Sequence, residues 1–346
     1  TTLFRSTALG AQSLYSNTEG NNNTAIGIGT LKANTTGNNN TALGAQSLSS
    51  NIDGSNDTAI GTATLNANTT GSYNSAIGTD ALSHNTTGSY NTALGAASLS
   101  SNTEGNNNTA LGYSTLRFNT TGSYNTAMGM ESLKFNTTGS SNTALGYSSL
   151  QANSEGYSNT ALGYGSLLSN VNGSDNIALG VSSLNTNTTG ANNIAVGNFS
   201  LFSNTEGISN TAIGRFSLYS TTGTNNTALG AQSLYDNVAG NSNISLGFKS
   251  GLGLTTGDKN IFIGSQTTGT GMTTGYFNTI IGSDITGLPA TLNNNIILAD
   301  GQGNIRAQHD GTAWDLKSTV KGVTATAGDN STNLASTAFV TTAVAN

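Results

Sequence analysis

The chain has 346 residues, of which 45 are glycine, one is proline and none is cysteine, and only 8 % are charged. Soluble globular domains carry roughly 25 % charged and 45–50 % apolar residues, so a chain with 34 % hydrophobic residues is too poor in both for a large globular core. The absence of cysteine excludes disulfides, thiolate metal sites and cysteine nucleophiles, and the net charge of −6 argues against nucleic acid and anionic membranes as partners.

The N-terminal residues TTLFRSTALG do not resemble a signal peptide, and the first residue is not methionine. We therefore expect a fragment or a processed product. No stretch approaches the ~18 consecutive apolar residues of a membrane span, so membrane insertion is not expected.

A 17-residue repeat, approximately NNTALGxxSLxxNTTGx, runs through residues 6–299. Its first glycine recurs every 17 residues from Gly10 to Gly214, and a second glycine follows ten residues after the first. The two segments between the glycine turns are long enough for short strands but too short for helices. The pattern predicts an all-β, parallel solenoid of 17–18 coils, and at about 4.8 Å per coil its length is roughly 80 Å.

Strand alternation divides the side chains of each coil between two faces. We predict that two files of residues fill the interior. One is the aliphatic file, which begins Leu9, Ile26, Leu43, Ile60, Ile77, Leu94, Leu111, Met128, Leu145, and the other is the leucine file, which begins Leu14, Leu31, Leu48, Leu65, Leu82, Leu99, Leu116, Leu133, Leu150. The threonine file (Thr24, Thr41, Thr58, Thr92, Thr109) shares the face of the aliphatic file and is therefore expected to point inward.

The alanine file lies on the opposite face of the same strands. A solvent-facing position would be expected to vary, so constant alanine suggests close approach of another backbone. We predict that it forms the seam of a homotrimer, with these seam residues: Ala25, Ala42, Ala59, Ala76, Ala93, Ala110.

The energetics of one coil also favour association. Two buried aliphatic side chains contribute about 3–6 kcal/mol per coil, whereas ordering each of the 17 residues costs about 1–2 kcal/mol. A lone chain is therefore predicted to be marginally stable, and identical chains would supply the missing apolar contact.

The pentad Asn23-Thr24-Ala25-Ile26-Gly27 resembles the repeated Ser-Val-Ala-Ile-Gly motif in the heads of trimeric autotransporter adhesins. Those heads are left-handed parallel β-rolls wound as trimers. The resemblance covers residues 6–299 and implies a trimeric, extracellular β-roll.

The end of the chain is similar to segments common in bacteriophage tail-fibre proteins. Residues 294–317 predict a β-hairpin around an Asp310-Gly311 turn, and residues 324–346 predict a short helix with Leu334, Ala338 and Phe339 on one face. The predicted domains are a solenoid shaft at 1–299, a hairpin at 300–318, and a linker with a helix at 319–346. The resemblance implies trimeric fibres, whose maturation often removes a C-terminal chaperone.

No set of residues suggests an enzyme, a cofactor site or a metal site. His84 and His309 are far apart in the sequence. Four glutamates recur at multiples of 17 residues, which places them several coils apart: Glu19, Glu104, Glu155 and Glu206. Glycosidase carboxyl pairs lie about 5–10 Å apart.

Aromatic residues with two nearby cations form the only deviation from the repeat that suggests binding. The candidate receptor contacts, for a host-surface carbohydrate or protein, are Tyr113, Arg117, Phe118, Tyr124, Phe135, Tyr147, Tyr157, Tyr164.

The sequence thus predicts the structural shaft of a phage tail fibre or a similar extracellular appendage, which supports host attachment. Three alternatives remain. They are a cell-surface adhesin that binds through its turn residues, an ice-binding solenoid that uses the threonine file, and a polysaccharide lyase or hydrolase on a β-helix.

Overall fold

The computed structural model describes residues 5–268 and 271–317, and every helix-or-strand element among them is a strand. The strands are β1 (Thr7–Leu9), β2 (Thr24–Ile26), β3 (Thr41–Leu43), β4 (Thr58–Ile60), β5 (Ser75–Ile77), β6 (Thr92–Leu94), β7 (Thr109–Leu111), β8 (Thr126–Met128), β9 (Thr143–Leu145), β10 (Thr160–Leu162), β11 (Ile177–Leu179), β12 (Ile194–Val196), β13 (Thr211–Ile213), β14 (Thr227–Leu229), β15 (Ile244–Leu246), β16 (Ile261–Ile263), β17 (Thr279–Ile281), β18 (Ile296–Ala299), β19 (Ile305–His309) and β20 (Trp314–Leu316).

Strands β1 to β18 form one parallel sheet in which each strand pairs with the next one along the chain. The register is that of the repeat, so Thr24 lies beside Thr41 and Ala25 beside Ala42. The predicted β-solenoid of 17-residue coils is confirmed.

Each coil contains one strand, whereas the sequence predicted two. The second segment, Ser-Leu-x-x-Asn, turns because its leucine adopts a left-handed backbone, with φ of 49° at Leu48. Two tight turns follow one another there. The amide of Ser47 donates to the carbonyl of Gly44, and the amide of Asn51 donates to the carbonyl of Leu48.

The prediction for the alanine file was wrong. Its members are fully buried inside a single chain from Ala25 to Ala228, and the seam residues named above are among them. They pack against the leucine file, which is buried as predicted. A buried methyl group cannot contact a second chain. Alanine is constant because the narrow space opposite leucine admits only a small side chain.

The orientation predicted for the aliphatic and threonine files was also wrong. Thr24 and Ile26 flank the buried Ala25 on the strand and therefore face outward, and the same holds along the stack. Leu94, in the middle of the rod, keeps 41 % of its surface exposed.

An exchange near the end of the solenoid illustrates how the alanine and leucine files face each other. Gly251 occupies the leucine position of its coil, and Phe262 occupies the alanine position one coil later. Phe262 is fully buried, and a Cβ on Gly251 would lie 2.9 Å from its ring. The volume lost on one side of the interior is thus supplied from the other.

Two files of buried asparagines complete the interior. In the first asparagine ladder, Asn51 Nδ2 donates to Oδ1 of Asn34 in the preceding coil and to the carbonyl of Gly54 in its own. In the second ladder, the amide of Asn40 donates to Oδ1 of Asn23. These bonds satisfy buried polar groups that would otherwise cost about 1–3 kcal/mol each.

The second glycine of each coil is required by close approach of the backbone. Gly37 has no positive φ, yet a Cβ at this position would lie well inside van der Waals contact with the Gly54 carbonyl oxygen and Asn34 Oδ1. The glycine therefore permits the 17-residue coils to stack at strand spacing.

The predicted hairpin is confirmed. Strand β19 pairs antiparallel with both β18 and β20, which caps the parallel stack. The backbone amides of Gln302 and Asn304 and the side chain of Asn304 donate to Asp300 and hold the pKa of that carboxyl below its usual range. The helix predicted within 319–346 lies outside the described residues.

Candidate functional site

The outward side of strands β1 to β18 forms a long regular surface, here called the strand face, which consists of the threonine and aliphatic files. Its aliphatic members continue from Leu9 to Leu298 and are exposed or half-exposed in every coil. With a coil spacing of about 4.8 Å the stripe is roughly 80 Å long. The largest apolar patch on a typical monomer covers only about 300–600 Å², so this stripe is unusually extended.

The candidate receptor contacts do not converge on one site. Tyr113, Tyr147 and Tyr164 follow the first glycine of their coils, whereas Phe118 and Phe135 lie two residues after the leucine. Tyr124 and Tyr157 lie near the second glycine and are exposed there. The eight residues therefore occupy separate lines along the rod.

The phenylalanine line is held together by its own contacts. The rings of Phe118 and Phe135 stack with centroids 5.5 Å apart. Arg117 lies over the first ring at 5.1 Å and Lys134 over the second at 5.2 Å. Both cations are thus engaged within the chain, which explains their presence beside the rings without a ligand.

Tyr147 and Tyr164 form one wall of a shallow groove. Their rings are stacked, with centroids 5.4 Å apart and planes 11° from parallel, and they remain 42 % and 59 % exposed. The rest of the groove is lined by Glu131, Ser148, Gln151, Gly165, Leu168, Asn185.

Polar side chains in this groove are fixed by neighbours. Gln151 Nε2 donates to Glu131 Oε2 at 2.9 Å and to Ser148 Oγ at 3.2 Å, and Lys134 Nζ forms an ion pair with Glu131 at 2.7 Å. Asn185 Nδ2 donates to the Gly165 carbonyl at 2.7 Å.

A second aromatic cluster was not predicted from the sequence. Phe199 stacks on Phe216, and Phe202, Tyr219 and Tyr235 form a continuous stack with centroid separations of 5.1–5.2 Å. All five are half-buried. Their near-17-residue spacing in two neighbouring columns was the signal that could have revealed them, and their ring faces are occupied by one another.

Residues suited to catalysis or metal binding are scattered. Within 5–268 and 271–317, no three His, Asp or Glu side chains come together as a metal ligand set. His84 Nδ1 lies 2.8 Å from the Ser100 carbonyl, and the His309 ring packs against Trp314 in the hairpin.

One buried carboxyl interrupts the second asparagine ladder. Asp57 takes the place of asparagine, accepts the Asn74 amide at 2.8 Å, and donates its own amide to Asn40 Oδ1. Burial raises the pKa of Asp57 to about 7. The neighbouring ladder asparagines, Asn40 and Asn74, each donate a hydrogen bond from Nδ2 to a glycine carbonyl. A carboxyl group can donate such a bond only when it is protonated.

Comparison with protein-family models and with curated proteins finds no match for this chain. In the part of the chain that the structure describes, no helix has the length and apolar character needed to cross a bilayer.

Proposed function

We propose that the protein is the shaft of an extracellular fibre, such as a phage tail fibre, and acts by rigidity and reach. The observation that carries this proposal is the single in-register parallel sheet from β1 to β18. Each coil adds one strand spacing along one axis, and each contacts its neighbours through backbone bonds and asparagine ladders. Such a stack resists bending and extends in proportion to the number of repeats.

The fibre is a homotrimer in this proposal, with the strand face as its seam in place of the alanine file. Exposed aliphatic side chains recur along the whole sheet. Two files of side chains about 10 Å wide and 80 Å long provide on the order of 800 Å² per chain. A standard stable pairwise interface buries roughly 800 Å² on each partner. In a trimer this face is shared between two neighbours, so it supplies about half of that area to each contact.

Ice binding is a second candidate, favoured by the outward orientation of the threonine file. In the first ten coils this position holds threonine nine times and serine once, at Ser75, beside an aliphatic residue. Ile177 and Ile194 then interrupt the series. An unassociated chain would leave this regular face open to water or ice.

Light scattering on the full chain and on two triple variants tests the assembly. Leu94→Lys, Leu111→Lys and Met128→Lys place three charges on the strand face. The matched control, Asn107→Lys, Tyr124→Lys and Ser141→Lys, places the same charge at exposed turn positions, where Lys259 already occupies the equivalent position with φ of 56°.

A three-chain mass for the wild type and the control, with a folded monomer for the strand-face variant, is the expected result. A monomeric wild type, or a strand-face variant that stays trimeric, would overturn the proposed seam. Thermal hysteresis of a monomeric wild type would favour ice binding.

A further inference from the structure

We infer that the groove beside Tyr147 and Tyr164 is a binding site for a neutral oligosaccharide on the flank of the solenoid. The groove begins directly after the first glycine of its coils, at Tyr147 and Tyr164. It spans residues of four successive coils, from Glu131 to Asn185. That corresponds to about 10–15 Å along the axis.

The lining matches the two-sided chemistry of a sugar. A pyranose has an apolar face of C–H groups and a rim of hydroxyls that both donate and accept hydrogen bonds. The exposed tyrosine rings provide an apolar wall. The other lining side chains include Gln151, Leu168 and Asn185, which occupy the same position in three successive coils and offer two amides with an apolar side chain between them. Sites of this kind combine apolar walls with a few oriented polar groups.

The polar groups are oriented before any ligand arrives. Both amide nitrogens are held by hydrogen bonds within the chain, to Glu131, Ser148 and the Gly165 carbonyl. Each amide therefore has a fixed plane and turns its oxygen away from those bonds. Fixed groups lose little conformational entropy on binding.

The charges in the groove favour an uncharged ligand. Its one carboxylate, on Glu131, is paired with Lys134, which also lies over the Phe135 ring. No cation lines the groove itself. An acidic saccharide would thus meet a carboxylate without a free positive partner.

Gly165 is the residue that opens the groove. Its backbone is left-handed, with φ of 58°, but the equivalent positions in the adjacent coils hold Ser148 and Ser182 with φ of 52° and 51°. A Cβ on Gly165 would lie 3.4 Å from Asn185 Nδ2 and 3.7 Å from Ser182 Oγ, which are tolerable contacts. The fold therefore does not require glycine here, and a side chain would fill the notch.

Serine substitutions at two equivalent glycines provide a test variant and its control. Gly165→Ser fills the groove, whereas Gly29→Ser makes the same change at the equivalent position of a distant coil, where a Cβ would approach nothing closer than Gln46 Cγ at 4.0 Å. Tyr164→Ala removes one exposed ring from the wall. Circular dichroism of each variant checks that the coils remain folded.

The full-length protein is applied to a printed array of neutral and acidic oligosaccharides, and the best neutral probe is then titrated by calorimetry. We expect binding of at least one neutral probe, at least tenfold weaker binding by Gly165→Ser and Tyr164→Ala, and unchanged binding by Gly29→Ser. No binding by the wild type, binding confined to acidic probes, or equal affinity in all variants would overturn the inference.

Discussion

Every regular coil holds a leucine in a backbone conformation that leucine seldom adopts. The leucine file from Leu14 to Leu234 has φ between 46° and 52°. A left-handed residue other than glycine costs about 1–2 kcal/mol, and complete burial of a leucine contributes about 1.5–3 kcal/mol. Burial therefore offsets the strain, and the turn directs each leucine at the alanine opposite.

Asp57 makes stability depend on pH in a direction unusual for a carboxylate. In the unfolded chain it titrates near 3.8, and in the folded chain burial raises its pKa to about 7. Below pH 3.8 Asp57 is protonated in both the folded and the unfolded state, so it does not reduce the stability of the fold. Between these values the unfolded state ionises while the folded state keeps the proton, so stability falls as pH rises and levels off above pH 7.

We therefore predict that the wild type loses on the order of 4 kcal/mol of stability between pH 4 and pH 8 relative to Asp57→Asn, since each pKa unit corresponds to about 1.4 kcal/mol. Urea unfolding at both values measures the difference. Asp53→Asn, an exposed change in the same coil, is the control and should leave the pH dependence unaltered. Equal pH dependence in wild type and Asp57→Asn would contradict the buried protonated carboxyl.

At the scale of the coil, the first asparagine ladder connects each coil with the next from Asn17 to Asn204. Asn119 Nδ2 donates to Asn102 Oδ1 and to the Gly122 carbonyl, and its Oδ1 accepts from Asn136. Serine cannot span these distances. Asn119→Ser should cost about 2–4 kcal/mol, because it leaves buried polar groups without partners.

Thermal unfolding compares this variant with Asn107→Ser, an exposed change where Ser141 already occupies the equivalent position. The control should unfold near the wild-type temperature. A similar, small effect of both substitutions would argue that the ladder contributes little.

Substitutions at Gly251 and Phe262 test whether the alanine and leucine files face each other across one interior space. Phe262→Ala alone should cost about 3–5 kcal/mol because it leaves a cavity. Gly251→Leu alone overfills the same space and should cost about 1–3 kcal/mol. The double variant recreates the leucine–alanine pair of the regular coils, and denaturant unfolding should place it above both single variants. A double variant no more stable than Phe262→Ala would mean that the two positions do not share one space.

The sequence predicted the coil from glycine spacing and the burial of the leucine file, but not which strand face is inward. Alternation separates Ala25 from Thr24 and Ile26 without orienting them. Aliphatic character suggested the interior for Ile26, whereas the left-handed leucine and two asparagine ladders leave room only for alanine. The sequence of a single repeat indicates neither the left-handed backbone of its leucine nor the groove at Gly165.

At the scale of the whole molecule, the observed core removes the reason for expecting a lone chain to be only marginally stable. Alanine, leucine and the hydrogen-bonded asparagines are all buried within one chain, so the coil does not need a neighbour to complete its core. In the proposed trimer, association would involve the exposed strand face and not the core. A monomeric strand-face variant can accordingly remain folded.

Each 17-residue unit adds one strand spacing to a single rod. Deleting residues 92–176 removes five whole coils and joins the start of β11 to the position vacated by β6 in unchanged register. Small-angle X-ray scattering of the deleted and full-length proteins should give the same cross-section and a rod shorter by about 24 Å. An unchanged length, or a shorter rod with a thicker cross-section, would contradict the coil-by-coil architecture.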